Sequence, residues 1–375
     1  MKKILVVDDS ALMRRVVFDI INSDEELQAS SYAVNGLDAL RILDSGEKFD
    51  AIVLDINMPK MNCIEFLREL AVRGRKETVL IVSTLAKEGA KETIQALELG
   101  AFDFITKPDS LAEARGSSFG NKLIMRLYAA TKLEDKLSQS MKSSAEVEMK
   151  SKRNRAKDFA SFPKKILKSD STRHSKEPLG SGARKLVALA CSTGGPKALQ
   201  YVIPFLPANL DAAVLIVQHM PEGFTASLAK RLDELSRINV KEAEHGEILE
   251  KGTVYIAKGG SQMRLIEKGK KEHSLSVTAE PARNGLKPCA DIMYESLMKT
   301  SFDEITCVVL TGMGSDGTRG ILQLEQTNKI FVIAQDEASS TVYGMPKAIA
   351  QAGGVDEVVE LKQIADAITR HVGVH

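Results

Sequence analysis

Short apolar runs alternate with amphipathic segments along most of the chain, and this alternation predicts strands and helices in turn. In the first third, four apolar runs have the length of a buried strand: residues 4–7, 51–54, 79–82 and 101–106. Segments with helical periodicity separate them, and Ser10 is placed to cap the first helix, which ends near Asn22. This alternation predicts a parallel, doubly wound α/β sheet.

Polar side chains follow the ends of these four runs. They are three carboxylates, a hydroxyl and a lysine: Asp8, Asp9, Asp55, Ser83 and Lys107. Because the carboxyl ends of parallel strands meet at one edge of a sheet, we expect these side chains to lie together. Crowded carboxylates repel one another unless a cation lies among them, and oxygen ligands of this kind suit Mg²⁺. A carboxylate beside Mg²⁺ and a lysine can attack a phosphoryl group and become an aspartyl phosphate.

Residues 1–108 resemble the receiver domain of response regulators, which has a flavodoxin-like fold. The resemblance rests on a set of motifs: Asp8-Asp9, Asp55 followed by Met58-Pro59, Ser83 or Thr84, and Lys107-Pro108. It implies that Asp55 accepts a phosphoryl group. It further implies a Mg²⁺ site made of Asp8, Asp9, Asp55 and the carbonyl of Asn57.

The same resemblance implies that three residues rearrange on activation: Ser83, Phe104 and Lys107. One departure is Cys63, a position at which many receivers have Gly, and it concerns the conformation of the loop after Asp55. We assign residues 1–122 to this domain.

A basic stretch of low apolar content follows the first domain. Residues 142–185 contain 13 Lys or Arg and 5 Asp or Glu, with few aromatic or β-branched residues. Such a stretch cannot bury enough apolar surface to offset the entropy of ordering, so we predict that it is disordered or loosely ordered. We assign residues 123–184 to the linker between the domains. Residues 123–137 have the pattern of a final amphipathic helix. A contact with nucleic acid or an anionic membrane is the alternative, but interleaved aromatics and a DNA-binding motif are lacking.

Five further apolar runs alternate with helical patterns in the last half of the chain: residues 185–191, 212–217, 254–257, 305–310 and 330–334. Three runs are followed by Ser192, His219 and Asp316, which suits a Ser-His-Asp hydrolase. Ser192 lies in a turn with two glycines, and by itself this turn suits a nucleophile and an inert tight turn equally well. The backbone N–H groups near Thr193 and Met313 are candidates for an oxyanion hole.

Two other interpretations compete for these residues. Residues 312–317 fit the pattern G-x-G-x-x-G and precede Asp336 by about twenty residues, which is a dinucleotide-binding pattern. However, Asp316 would then lie in a loop that holds a pyrophosphate, where like charges weaken binding. Cys191 is an alternative nucleophile, but the last residue of a buried strand is usually an inert thiol.

Residues 185–371 resemble the catalytic domain of the chemotaxis protein-glutamate methylesterases, the CheB family. The matching motifs are Ser192-Thr193-Gly194-Gly195-Pro196, Gln218-His219-Met220-Pro221, Thr311-Gly312-Met313-Gly314-Ser315-Asp316-Gly317, Gln335-Asp336-Glu337 and Gly344-Met345-Pro346, together with Pro288 and Asp291. The resemblance implies a Rossmann-like catalytic domain, assigned to residues 185–375, with the triad Ser192, His219 and Asp316 and with Met313 at the oxyanion site. Lys258 and Gln262 are departures, since Pro and His are usual there, and they concern a substrate-facing loop.

The resemblance also implies a function. It implies hydrolysis of glutamate methyl esters on methyl-accepting chemotaxis receptors, with release of methanol and no cofactor, and deamidation of receptor glutamines. A sensor histidine kinase would phosphorylate the receiver, which would gate the esterase. The alternative is a response regulator that works by binding, with a nucleotide-binding or protein-binding second domain.

Composition limits the remaining possibilities. The 375 residues carry a net charge of +1, which predicts no overall attraction to nucleic acid or membrane. The four scattered cysteines form no C-x-x-C pair and suit a reducing cytoplasm. Neither a signal peptide nor an apolar run of membrane-spanning length is recognisable, so we expect a cytoplasmic protein without membrane insertion.

Overall fold

The computed structural model describes residues 1–84, 87–108, 110, 113, 116–133, 184–268 and 272–375. Among them, no helix is long and apolar enough to cross a membrane. The first domain alternates strands and helices: β1 Lys2–Val7, α1 Ala11–Asn22, β2 Leu27–Ala33, α2 Gly36–Asp44, β3 Ala51–Asp55, α3 Cys63–Val72, β4 Val79–Ser83, α4 Lys87–Glu98, β5 Asp103–Thr106 and α5 Ser117–Ala130. Its five strands are parallel, in the order β2-β1-β3-β4-β5.

The position of each strand in this sheet explains its sequence. Every residue of β3 and β4 is buried, because helices cover both faces of a parallel sheet. In contrast, β2 lies at the edge, and only Leu27, Ala29 and Ala33 of its seven residues are buried. This alternation explains why β2 is not among the apolar runs that predict the other strands.

The last helix of the first domain, α5, crosses the predicted domain boundary at residue 122. Its Leu123 and Leu127 are fully buried and pack in one apolar cluster with Val17 and Ile21 of α1. Residues 123–130, which the predicted bounds assign to the linker, therefore pack with the first domain. Most of the predicted linker, residues 134–183, lies outside the described residues.

The second domain has a larger parallel sheet. Its elements are β6 Lys185–Cys191, α6 Gly195–Val202, β7 Ala213–Gln218, α7 Phe224–Leu235, β8 Asn239–Glu242, β9 Thr253–Ile256, β10 Gln262–Lys268, β11 Glu272–Thr278, α8 Ala290–Ser296, β12 Glu304–Val309, α9 Thr318–Glu325, β13 Ile330–Gln335, α10 Met345–Gln351, β14 Glu357–Val359 and α11 Ile364–Val372. Seven strands form the sheet in the order β14-β13-β12-β6-β7-β9-β8, and β10 and β11 form a separate antiparallel hairpin.

The predicted doubly wound α/β class is confirmed for both domains. The edge strands β8 and β14 and the hairpin are absent from the predicted runs, because polar residues interrupt their apolar patterns. In both sheets the order in which the strands are added reverses next to a central strand, β1 in the first domain and β6 in the second. Ligands of open α/β sheets bind beyond the carboxyl ends of the strands at such a reversal, which is where Asp8 and Ser192 lie.

Candidate active site and receiver site

The turn that carries Ser192 requires glycine for steric reasons. Gly194 has φ +78°, and a Cβ added there would lie 2.5 Å from the Cβ of Thr341. Gly312, in the loop after β12, lies so close that its added Cβ would be 2.7 Å from the Cβ of Ser192. The two loops therefore pack backbone to backbone around the serine, which is 6% exposed.

His219 and Asp316 are brought together at the carboxyl ends of β7 and β12. His219 Nε2 lies 2.8 Å from Asp316 Oδ2, and both side chains are less than a tenth exposed. Burial by itself would raise the pKa of Asp316, but hydrogen bonds from His219 and from the backbone of Ala290 and Asp291 outweigh it and hold the pKa at about 2. Asp316 is therefore ionised at neutral pH and can orient the imidazole.

Ser192 and His219 are held on adjacent loops by a buried amide. Gln218 Nε2 donates to the carbonyl oxygens of Ser192 at 3.0 Å and of His219 at 3.3 Å. Among the hydrogen bonds of the described residues, none joins Ser192 Oγ to His219, and such contacts often close only when substrate binds. Because Asp316 occupies Nε2 of His219, Nδ1 is the ring nitrogen left to accept the serine proton.

The two candidate oxyanion donors have free N–H groups within the described part of the chain. Thr193 is 1% exposed and Met313 is 8% exposed, and the backbone N–H of neither meets an acceptor there. Buried N–H groups are nearly always paired, so two unpaired ones beside a candidate nucleophile are a feature of a site that binds a negatively charged oxygen.

The competing interpretations fit the geometry less well. Burial raises the pKa of Cys191 far above its usual range, and its thiol donates to Gln218 Oε1 at 3.0 Å, so it is a poor nucleophile. Asp316 bonds His219, and Asp336 accepts from the backbone N–H of Ser339 at 3.2 Å. Both carboxylates of the dinucleotide pattern are thus engaged within the protein.

A second cluster of acidic side chains lies at the carboxyl edge of the first sheet. Asp8, Asp9 and Asp55 each offer a carboxylate oxygen, and these atoms lie within 4.8 Å of one another. Lys107 Nζ contacts Asp8 Oδ2 at 3.0 Å and Asp55 Oδ2 at 2.8 Å. Burial raises the pKa of Asp55 to about 6, although Lys107 opposes the rise. A concentrated set of hard oxygen donors of this kind fits Mg²⁺. Asn57 is exposed in the loop that follows β3.

The three residues expected to rearrange on activation contact different parts of the molecule. Ser83 Oγ is buried and accepts a hydrogen bond from Thr93 Oγ1 of α4 at 2.8 Å. Phe104 stacks on Phe224, the first residue of α7 in the second domain, with ring centroids 4.7 Å apart. Of these residues, only Lys107 contacts the acidic cluster.

The first domain covers the residues beside Ser192. Thr193 Oγ1 donates to Asp103 Oδ2 at 2.7 Å, and Arg126 Nε lies 2.7 Å from the same oxygen. Met313 packs in one apolar cluster with residues of the first domain. Neither Asp103 nor Phe224 was predicted from the sequence, although the position of Asp103 as an acidic residue inside the apolar run 101–106 was a signal for it.

Comparisons with known proteins agree across the chain. The second domain matches the family model of CheB methylesterase over residues 187–368, and the first matches that of the response regulator receiver domain over residues 4–115. A protein-glutamate methylesterase/protein-glutamine glutaminase 1 from Syntrophomonas wolfei is 40% identical over 98% of this chain and 98% of its own length. One from Bacillus subtilis is 39% identical over 98% of each chain. The crystal structure of the Thermotoga maritima CheB methylesterase catalytic domain is 36% identical, with a TM-score of 0.48, and covers 52% of this chain and 100% of that one.

Proposed function

The chain belongs to the CheB family of protein-glutamate methylesterases with a receiver domain, and from this premise we propose that Ser192, His219 and Asp316 carry out its ester hydrolysis. The contact of 2.8 Å between His219 and Asp316, at strand ends next to Ser192, is the observation that carries the proposal. Asp316 holds the imidazole with Nε2 engaged, which directs Nδ1 to the serine proton.

In the proposed reaction, Ser192 Oγ attacks the ester carbonyl carbon while its proton passes to His219 Nδ1. The carbonyl oxygen becomes an oxyanion, which accepts hydrogen bonds from the backbone N–H groups of Thr193 and Met313. Methanol leaves with the proton from His219, and an acyl-serine remains. Water then attacks the acyl-serine with His219 as the base, which restores Ser192 and leaves a glutamate carboxylate.

The same residues suit deamidation of a glutamine. An amide passes through the same tetrahedral intermediate as an ester, with ammonia as the leaving group in place of methanol. The names of the relatives include a glutaminase, and we propose this second reaction for the present chain. We propose methyl-accepting chemotaxis receptors as the substrates of both reactions.

We propose Asp55 as the phosphoryl acceptor, with a sensor histidine kinase of the chemotaxis pathway as phosphodonor in the cytoplasm. Mg²⁺ would be held by Asp8, Asp9, Asp55 and the carbonyl of Asn57, and when bound it would offset the negative charge that gathers during phosphoryl transfer. Lys107 already contacts Asp55 and is placed to pair with the phosphoryl group.

We further propose that the receiver restrains the esterase until it is phosphorylated. Two contacts between the domains support this. Asp103 accepts a hydrogen bond from Thr193, which follows Ser192 in the chain, and Phe104, which is expected to rearrange on activation, stacks on Phe224 of the second domain. A few kcal/mol of change in docking free energy is enough to shift such an equilibrium.

Measurement of methanol release from methylated receptor membranes tests the mechanism. We expect Ser192→Ala to lower kcat by about 10⁴-fold or more, because the members of a triad act as a unit. Ser236→Ala is the matched control, since it removes a hydroxyl whose one hydrogen bond among the described residues goes to the carbonyl of Leu232 near the end of α7. Wild-type methanol release by Ser192→Ala would show that another residue is the nucleophile.

A further inference from the structure

Asp316 is surrounded by hydrogen-bond donors on both of its carboxylate oxygens. Oδ2 accepts from His219 Nε2 at 2.8 Å and from the backbone N–H of Ala290 at 2.6 Å. Oδ1 accepts from the thiol of Cys289 at 3.1 Å and from the backbone N–H of Asp291 at 3.1 Å. Apart from the imidazole, Cys289 is thus the side chain that donates to this carboxylate within the described residues.

The thiol of Cys289 is suited to donate and unsuited to attack. Cys289 is 1% exposed, and its burial together with the charge of Asp316 raises the pKa of the thiol far above its usual range. It therefore keeps its proton at neutral pH, and that proton is the one offered to Asp316.

Gln262, which departs from the usual residue of the family, fixes the backbone of Cys289. Its side chain is fully buried, and Oε1 accepts from the backbone N–H of Cys289 at 2.9 Å. Its Nε2 donates to the carbonyl oxygens of Leu286 at 3.1 Å and of Pro281 at 3.3 Å. With these three bonds the amide ties the segment before α8 to the start of β10, so that the thiol is held over Asp316.

We infer that Cys289 is a positioning residue for Asp316, and that Gln262 in turn positions Cys289. This inference rests on the proposed function, since it assigns the two residues a role through the triad. The thiol holds Oδ1 so that Oδ2 stays directed at His219, which keeps the imidazole in the orientation that leaves Nδ1 for Ser192. Neither residue is assigned a contact with substrate.

The test replaces Cys289 by a residue that lacks a hydrogen-bond donor and by one that keeps a donor, and it measures methanol release by the full-length protein. We expect Cys289→Ala to lower kcat about fivefold with KM unchanged. The lost hydrogen bond holds Asp316 in the orientation that stabilises the imidazolium, which forms during the reaction and not when the substrate binds. We expect Cys289→Ser, which restores a donor, to stay within about twofold of wild type. A Cys289→Ala variant with wild-type kcat would overturn the inference, and so would a Cys289→Ser variant as slow as Cys289→Ala.

Cys307→Ala is the matched control. Cys307 is equally buried in β12, but its thiol makes no hydrogen bond among the described residues. If loosening of the core caused the loss, this variant would lose kcat to the same degree, and that outcome would also count against the inference. Thermal unfolding of each variant measures the loosening directly.

Gln262→Met gives an independent arm should Cys289→Ala fail to fold. We expect this variant alone to have a kcat about twofold below wild type with KM unchanged, and a wild-type kcat would overturn the role of Gln262. Where Cys289→Ala folds, we expect little additional loss when the two changes are combined, because they act through one contact. Fully additive losses would overturn the link between the two residues. Ser192→Ala is assayed alongside: if it keeps its activity, the proposed function fails, whereas if only Cys289→Ala matches wild type, the present inference alone fails.

Discussion

Asp55 and Asp316 are buried carboxylates at the carboxyl edges of two similar sheets, yet their pKa values move in opposite directions. The pKa of Asp55 is raised by burial to about 6, whereas the pKa of Asp316 is held at about 2. Their side chains are 6% and 7% exposed. Because the exposure is nearly equal, burial does not explain the difference between them.

The difference comes from the groups around each carboxylate. Asp316 receives four hydrogen bonds, and the backbone supplies two of them. Asp55 is bonded by Lys107 and by the backbone N–H of Ile56, and it shares its site with the carboxylates of Asp8 and Asp9. Hydrogen bonds favour the charged form of a carboxylate, and neighbouring negative charge disfavours it.

These surroundings suit two different tasks. A carboxylate whose two oxygens both accept hydrogen bonds from fixed donors is held in one orientation. A group that orients an imidazole must be held in this way. A carboxylate in a crowded acidic site with few fixed donors keeps an oxygen available for a cation and for a phosphoryl group. The two proposed chemistries would therefore share one fold class and differ in the hydrogen-bond donors around the carboxylate at the strand ends.

Asp316→Asn should have the largest effect on this comparison. The amide cannot stabilise the imidazolium and would hold the wrong tautomer, so we expect kcat for methanol release to fall by about 10⁴-fold. Incorporation of phosphate from a small phosphodonor should remain at the wild-type level. Asp303→Asn is the control, because Asp303 is exposed and pairs with Arg184. A variant that kept more than about a tenth of wild-type kcat would remove Asp316 from the proposed triad.

Asp55→Asn should have the converse effect. We expect no phosphate to be incorporated and the esterase to lose its entire response to the phosphodonor, because the amide oxygen is a poor nucleophile. Labelled phosphate on the intact protein measures the first result, and methanol release with and without phosphodonor measures the second. Asp50→Asn removes a half-buried carboxylate that pairs with Lys2 at the opposite, amino end of β3, and this variant should behave as wild type. Stable labelling of Asp55→Asn would mean that another residue accepts the phosphoryl group.

Two kinds of feature were predictable from the sequence: the fully buried strands, and the polar residues at or after their carboxyl ends. The runs 51–54 and 79–82 are wholly apolar because both faces of β3 and β4 are covered, so they were visible as strands. Most residues of both candidate sites lie at the end of such a strand or directly after it, whereas Asp316 lies in the loop between β12 and α9. In contrast, β2 and β8 lie at sheet edges, where half-exposed strands carry polar residues that hide the apolar pattern.

Contacts between distant segments were not predictable in the same way. Three of the four donors to Asp316 come from residues 289–291, and no local spacing relates them to residue 316. The contact of Asp103 with Thr193 depends on which faces of the two domains meet. The amphipathic helix predicted from residue 123 instead begins at Ser117 in the structure, with Gly116 as its N-cap residue.

Asp103→Ala should have a smaller effect than the two changes above, because it alters the restraint on the active site and not the chemistry. In the docked arrangement Asp103 accepts from Thr193 and pairs with Arg126, and all of these atoms are at least partly buried. Alanine leaves the hydroxyl and the guanidinium without this partner in the docked state, whereas water satisfies them when the domains separate. We therefore expect kcat/KM of the unphosphorylated protein to rise about fivefold and the response to phosphodonor to shrink by a similar factor.

The ion pair between Glu98 and Arg231 provides the control for this last prediction. It also joins the two domains, with Nε of Arg231 2.6 Å from Glu98 Oε1, but the arginine is 39% exposed and lies in the interface of α4 with α7. Exposed ion pairs contribute about 0–1 kcal/mol, so Glu98→Ala should change kcat/KM by about twofold at most. Equal effects of the two variants would mean that the general strength of docking matters, and not the buried contact beside Ser192. If Asp103→Ala stays at the wild-type level while Asp55→Asn loses its response, the receiver must act by stimulating the esterase and not by covering it.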